Sequence, residues 1–291
     1  DRPKPRPAYA ALLAAIGLAG LGFGLSSAPL NTAPGVLFPA RRETALVVLH
    51  TLVGAGFALG PLLARLTPDW VGFPLGLAVL AAVLLVPSVP DVRVDGARAS
   101  SPPTRSSIFW SLAAIAILYA LCEGTLASWV VIYLQEERGV APASAALALS
   151  TFWAALVGGR LAASALLLRV PSRRIWSALP LLMLAAFWLL PRARDAASGI
   201  ALFALAGLAC SAFFPLTVGF ASGRFREHVA WVSSMLTAAL MLGVGVGSFL
   251  LGALRRMTSL ADLYRWSSGY AVILLGLVAA VIVSHRKEEA R

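Results

Sequence analysis

Apolar stretches long enough to cross a lipid bilayer recur nine times along this 291-residue chain, at residues 9–30, 44–66, 70–90, 108–134, 144–168, 174–191, 198–221, 229–254 and 266–284. An α-helix rises about 1.5 Å per residue, so about 20 such residues cover a hydrocarbon core about 30 Å thick. Turn and charge signals mark most of the breaks: Phe38-Pro39 before Arg41, Arg42 and Glu43; Thr67-Pro68-Asp69; Pro191-Arg192; and the run from Arg224 to Glu227. The pattern predicts an all-α, polytopic membrane protein of about nine transmembrane helices. Its longest polar interruption, 91–107, reads as a linker between two bodies, 1–90 and 108–291.

Composition excludes a water-soluble fold. Hydrophobic residues make up 59% of the chain and charged residues 13%, with a mean hydropathy of +0.83, whereas soluble domains carry about 25% charge. The net charge of +11 does not indicate nucleic acid, because the basic residues sit in short clusters between apolar runs, as loop anchors do. Thirteen Lys and Arg fall on the side holding Arg41, Arg42, the linker and the C-terminus, against ten on the other. That places the linker and C-terminus in the cytoplasm and the protein in the cell's inner (plasma) membrane. Cys122 and Cys210 lie within apolar runs as small packing residues, and no disulfide framework or metal site is indicated.

An internal repeat organises the spans. GLAGLGFG…FPARRETA followed by LVVLHTLVGAGFALGPLL has a counterpart in GLACSAFFP…GRFREHVA followed by WVSSMLTAALMLGVGVGSFLLGAL. Aligning Arg42 with Arg226 gives a separation of 184 residues and six helices. Repeats of this kind mark transporter folds, whose site lies between related halves. With a period of six helices, three of the nine lack an earlier counterpart and are expected to precede residue 1. The spaced pairs Gly20/Gly24, Gly56/Gly60, Gly72/Gly76 and Gly243/Gly247 suit close helix contact in lipid, or helices that bend during transport.

Ionisable residues inside the spans reduce to Glu123, Arg160 and His50, and such residues are costly in lipid and mark functional positions. Glu123 lies near the middle of its span, with Tyr119 one helical turn earlier on the same face. It reads as a proton carrier or a ligand for a polar substrate, or as a structural carboxyl paired across helices. Arg160 is either a side chain reaching the interface or a gating contact between bundles. His50 can change charge near neutral pH or serve as a hydrogen-bonded packing residue. Asn31, Trp129, Tyr133 and Trp153 are cavity or interface-belt candidates. No phosphate loop, His-Glu-x-x-His or nucleophile elbow occurs, so no enzyme activity and no cofactor are expected.

The segment YALCEGTLASWVVIYLQEERGVAPASAALALSTFWAALVGGRL, with Tyr119, Glu123, Ser128, Trp129, Phe152, Trp153, Gly159 and Arg160, resembles the seventh and eighth helices of the fucose permease-like branch of the major facilitator superfamily. LNTAPGVLFPARRETALVVLHTLVGAGFALGP, with Asn31, His50, Gly56 and Pro61, is similar to that branch's fourth and fifth helices, and Phe214-Pro215 with the SGRF turn to its tenth. The resemblance implies two six-helix bundles, of which these spans are helices 4–12, and alternating access, often with proton-coupled uptake of a sugar or similar solute. The first-helix acid of such symporters has no match in the chain, which leaves Glu123 as the titratable candidate. The expectation is a monomeric secondary transporter of a small polar solute, a sugar, with protons and membrane lipids as its other partners and Arg160 at the cytoplasmic gate. An exporter of amphipathic compounds and a truncated, non-transporting membrane protein are the alternatives.

Overall fold

The computed structural model describes residues 6–66, 72–85 and 102–289, and all regular structure among them is helical. The long helices are α1 (Arg6–Leu37), α2 (Arg42–Leu66), α3 (Gly72–Leu85), α4 (Ser107–Ser128), α5 (Pro142–Leu166), α6 (Ser172–Leu189), α7 (Ala196–Arg224, interrupted at 211–212), α8 (Val229–Leu254) and α9 (Leu260–Glu289). By length and composition, the six from α4 to α9 can each cross a membrane; the chain is a multi-pass membrane protein. The helical path of α4 continues through Val130–Ile132 and a π-helical turn, Tyr133–Glu137. The third predicted span, 70–90, is represented by the 14 residues of α3, and its remainder lies outside the described residues. So does the expected linker up to residue 101.

Lipid offers no partners for backbone groups, so the ends of these helices are where side chains and water must serve. Ser106 accepts from the Phe109 amide at the start of α4. Asp195 and Ser198 form a reciprocal capping box on α7. Glu137, at the opposite end of the bundle from Ser106, caps a different helix: its carboxylate accepts from the amides of Leu260 and Ala261, which open α9. Glu136 pairs with Arg255, while Arg138 donates to the Tyr133 hydroxyl and to the carbonyl of Pro191 at 2.8 Å each. The α4–α5 connection thus clasps the α6–α7 and α8–α9 connections together.

Packing runs chiefly α4 on α8, α5 on α7, α6 on α9 and α4 on α9; α1 contacts α8, and α2 contacts α5 and α7. Small residues set the closest approaches, as expected where helices pack without a hydrophobic drive. A Cβ on Gly243 would stand 2.6 Å from Ala120 Cβ and Ile117 O, and one on Gly207 would collide with the Phe152 carbonyl.

The two repeat turns lie at the same end of the molecule, with the Arg42 guanidinium packed over Gly223 and Glu43 against Gly219. Their geometry shifts the sequence-based register. Each turn enters through a phenylalanine of nearly the same conformation, Phe38 (φ −130°, ψ 60°) and Phe225 (φ −116°, ψ 58°), then makes one 3-10 turn before the next helix starts. The equivalent positions are therefore 187 residues apart, not 184, and Arg42 corresponds to Val229. The corrected register pairs LAGL at 18–21 with LAGL at 205–208, Gly56 with Gly243 and Gly60 with Gly247. The Arg-Glu motif misleads because the second copy places it inside the 3-10 turn and the first at the helix start.

Candidate functional site

The site is built around an interruption in α7. Pro215 has no amide hydrogen, so the carbonyl four residues earlier, on Ser211, loses its helical donor. Helical geometry breaks at 211–212. Arg160 of α5 supplies the missing donor: its Nε lies 2.8 Å from Ser211 O, and its Nη1 donates to the carbonyl of His50 on α2. Two glycines make this possible. A Cβ on Gly159 would lie 2.6 Å from Ser211 Cβ, and one on Gly54 would lie 3.0 Å from Arg160 Nη1 and 2.9 Å from Val157 Cγ2. The guanidinium is turned into the protein and only 7% of the residue is exposed. A buried cation is tolerable only with such partners.

The neighbouring carbonyl, Cys210 O, accepts from the Tyr119 hydroxyl at 2.9 Å. Tyr119 is stacked on Phe213 and Phe214 at centroid distances of 5.3 and 6.2 Å. Glu123 stands beside the Tyr119 hydroxyl, half-buried and within electrostatic reach of Arg160. On the other side, His50 Nε2 lies 2.9 Å from Asn31 Oδ1, and Asn31 Nδ2 donates to Ser27 O at 2.8 Å. An amide oxygen only accepts, so Nε2 of His50 carries the hydrogen. The His50 ring meets Phe214 edge-on at 5.7 Å.

Five of the sequence candidates thus converge: Asn31, His50, Tyr119, Glu123 and Arg160 form a continuous polar seam through α1, α2, α4, α5 and α7. Trp153 is half-buried, edge-on to Phe152, and lies two turns outward from Arg160 on the same face of α5. Trp129 does not join them. It lies over Gly252 of α8, with the Arg255 guanidinium 5.6 Å from its ring. Tyr133 is part of the clasp between connections, donating to Leu190 O at 2.9 Å. The sequence reading missed the two carbonyls at the α7 break, the aromatic wall of Phe213 and the clearance at Gly54. Phe214-Pro215 was the available signal: a proline inside an apolar run frees a carbonyl at a fixed offset.

No protein-family model matches the sequence, and no curated protein matches it. Among solved structures, the chain superposes on the crystal structure of FucP, a major facilitator superfamily transporter, in the outward conformation, with a TM-score of 0.69 at 14% identity, covering 88% of this chain and 72% of that one. A variant of the Escherichia coli fucose:proton symporter FucP gives 0.65 at 13% identity, covering 85% and 72%. The fold is that of the major facilitator superfamily. At such identity the likeness is one of architecture. Chemically, the seam offers one buried cation held by backbone carbonyls, one carboxyl group beside it, an imidazole–amide pair and a stacked aromatic wall.

Proposed function

We propose that the protein is a secondary active transporter that moves a small polar solute, a sugar, by alternating access and couples it to protons. The observation that carries this reading is the placement of Glu123 at mid-helix, half-buried, beside a tyrosine and opposite Arg160. A mid-membrane carboxyl that is neither sealed away nor ion-paired outright can take up and release a proton. Tyr119, Asn31 and His50 supply hydrogen-bonding groups of both senses for hydroxyls, and the Phe213–Phe214 wall offers a flat apolar face. Two solved structures of a sugar:proton symporter with the same architecture support the substrate class.

In this reading, residues 1–90 and 108–291 are two bodies that rock about the site, joined by the linker on the cytoplasmic side. Arg160 is the gating residue: it belongs to the second body and grips the His50 carbonyl of the first. The Arg42–Gly223 contact closes the same end. The protein sits in the inner membrane with its C-terminus in the cytoplasm, acts as a monomer, and takes the solute, protons and lipid as partners.

The test is transport by the protein in proteoliposomes. Glu123→Gln is expected to abolish accumulation driven by a proton gradient while preserving solute counterflow; unchanged uptake with unchanged pH dependence makes Glu123 structural. Counterflow of dyes in preference to sugars assigns the cavity to amphipathic cargo instead. Arg160→Gln is expected to raise labelling of cysteines introduced near His50 from the inner side, because the carbonyl grip is lost.

A further inference from the structure

At the inner end, the α1–α2 turn and the α5–α6 turn enclose a cleft of about 470 Å³ whose lining includes Arg41, Glu43, Thr44, Leu168, Arg169 and Ser172. We propose that this cleft binds the headgroup phosphate of an anionic phospholipid. Arg41 comes from one turn and Arg169 from the other, and both are exposed. Glu43 is the opposing charge on the lining, and Arg42 Nε lies 3.4 Å from its carboxylate. The balance at the mouth is therefore positive.

A second feature points the same way. Helix α6 opens at this cleft, its N-cap is Pro171 with no side-chain acceptor, and its first turn holds no acidic residue. The positive end of this 18-residue helix thus adjoins the cleft, whose lining includes Pro171 and Ser172. Arg173 and Arg174 follow immediately and add to the field.

The apolar wall selects a lipid over a free anion. Leu167 and Val170 line the cleft with Leu168, which is 66% exposed. These side chains follow directly on the end of α5, beside a basic rim, the arrangement that takes glycerol and upper acyl carbons together with a phosphate. The cleft is distinct from the Glu123 seam and does not depend on the transport reading.

The test uses the full chain in nanodiscs of phosphatidylcholine doped with phosphatidylglycerol, with bound lipid read by native mass spectrometry. The wild type is expected to enrich phosphatidylglycerol over phosphatidylcholine. Arg41→Gln with Arg169→Gln should lower that enrichment roughly tenfold or more, since each surface arginine contributes about fivefold. The charge-matched pair Arg192→Gln with Arg194→Gln, at the outer end, should leave it intact. Equal loss in both pairs, or no loss in the inner pair, overturns the site. Displacement of the lipid by an equal concentration of inorganic phosphate also overturns it, in favour of a free anion. For the unmodified protein, a photoreactive phosphatidylglycerol should form adducts within 40–44 and 167–172, and adducts confined to other segments refute the proposal.

Discussion

Gly20 and Gly207 occupy the same place in the two copies of the repeat and have opposite surroundings. Gly207 is pressed against the carbonyl of Phe152, whereas a Cβ on Gly20 would meet nothing within 4 Å. Gly56 and Gly243 differ in the same way: the first is open, the second is in contact with α4. A small-residue motif therefore encodes a capacity for close approach, and the apposed helix decides whether that capacity is used. The last six helices are welded by such contacts, while α2 meets them through Arg42, Gly54 and the His50 carbonyl.

That contrast can be broken at single atoms. Gly207→Ala is expected to have the largest effect, a loss of about 3 kcal/mol of stability, because the added methyl meets backbone, which cannot turn aside. Gly20→Ala should change stability by less than about 0.5 kcal/mol. Thermal unfolding in detergent compares the two, and equal melting temperatures would undo the distinction. Gly243→Ala is expected to cost about 2 kcal/mol, since neither Ala120 Cβ nor Ile117 O can turn aside; Gly56→Ala serves as its neutral partner in the same assay. Asn31→Ala removes the acceptor of His50 and should cost about 0.6 kcal/mol, the usual worth of a polar contact between membrane helices. Its larger signature should be freer access of a thiol reagent to a cysteine placed near His50.

A pH-dependent effect is expected at a helix end. Asp195 caps α7, and the amide and hydroxyl of Ser198 hold its carboxyl below the ordinary aspartate range. A depressed pKa contributes stability above the pH at which a free aspartate titrates, and that contribution is lost as pH falls through the lowered value. The gap in melting temperature between the wild type and Asp195→Ala should be constant above about pH 5 and close progressively in acid.

The sequence pattern located the helices well because span length and apolar runs are set by the bilayer, a constraint that each segment obeys alone. Helix α8 begins and ends where 229–254 was drawn. The site was half legible. Glu123, Arg160 and His50 stand out because charge in lipid is conspicuous, and Tyr119 follows from the helical period. What failed to show were relations between segments: Arg160 meeting a proline-freed carbonyl 51 residues on, or Trp129 turning toward α8. The repeat shows in the sequence but three residues out of register, because the Arg-Glu pair of the turns outweighed the LAGL and glycine matches that the turn geometry supports.

Where the two repeat turns abut, one presents bulk and the other a void: Arg42 fills the room that Gly223 leaves. Two copies of one unit cannot both bring a large side chain to a shared seam, so the duplicates have had to diverge in complementary directions, one as tenon and one as mortise. A change on one side is tolerable only with its compensation on the other, which makes this joint a place where paired replacements succeed and single ones fail.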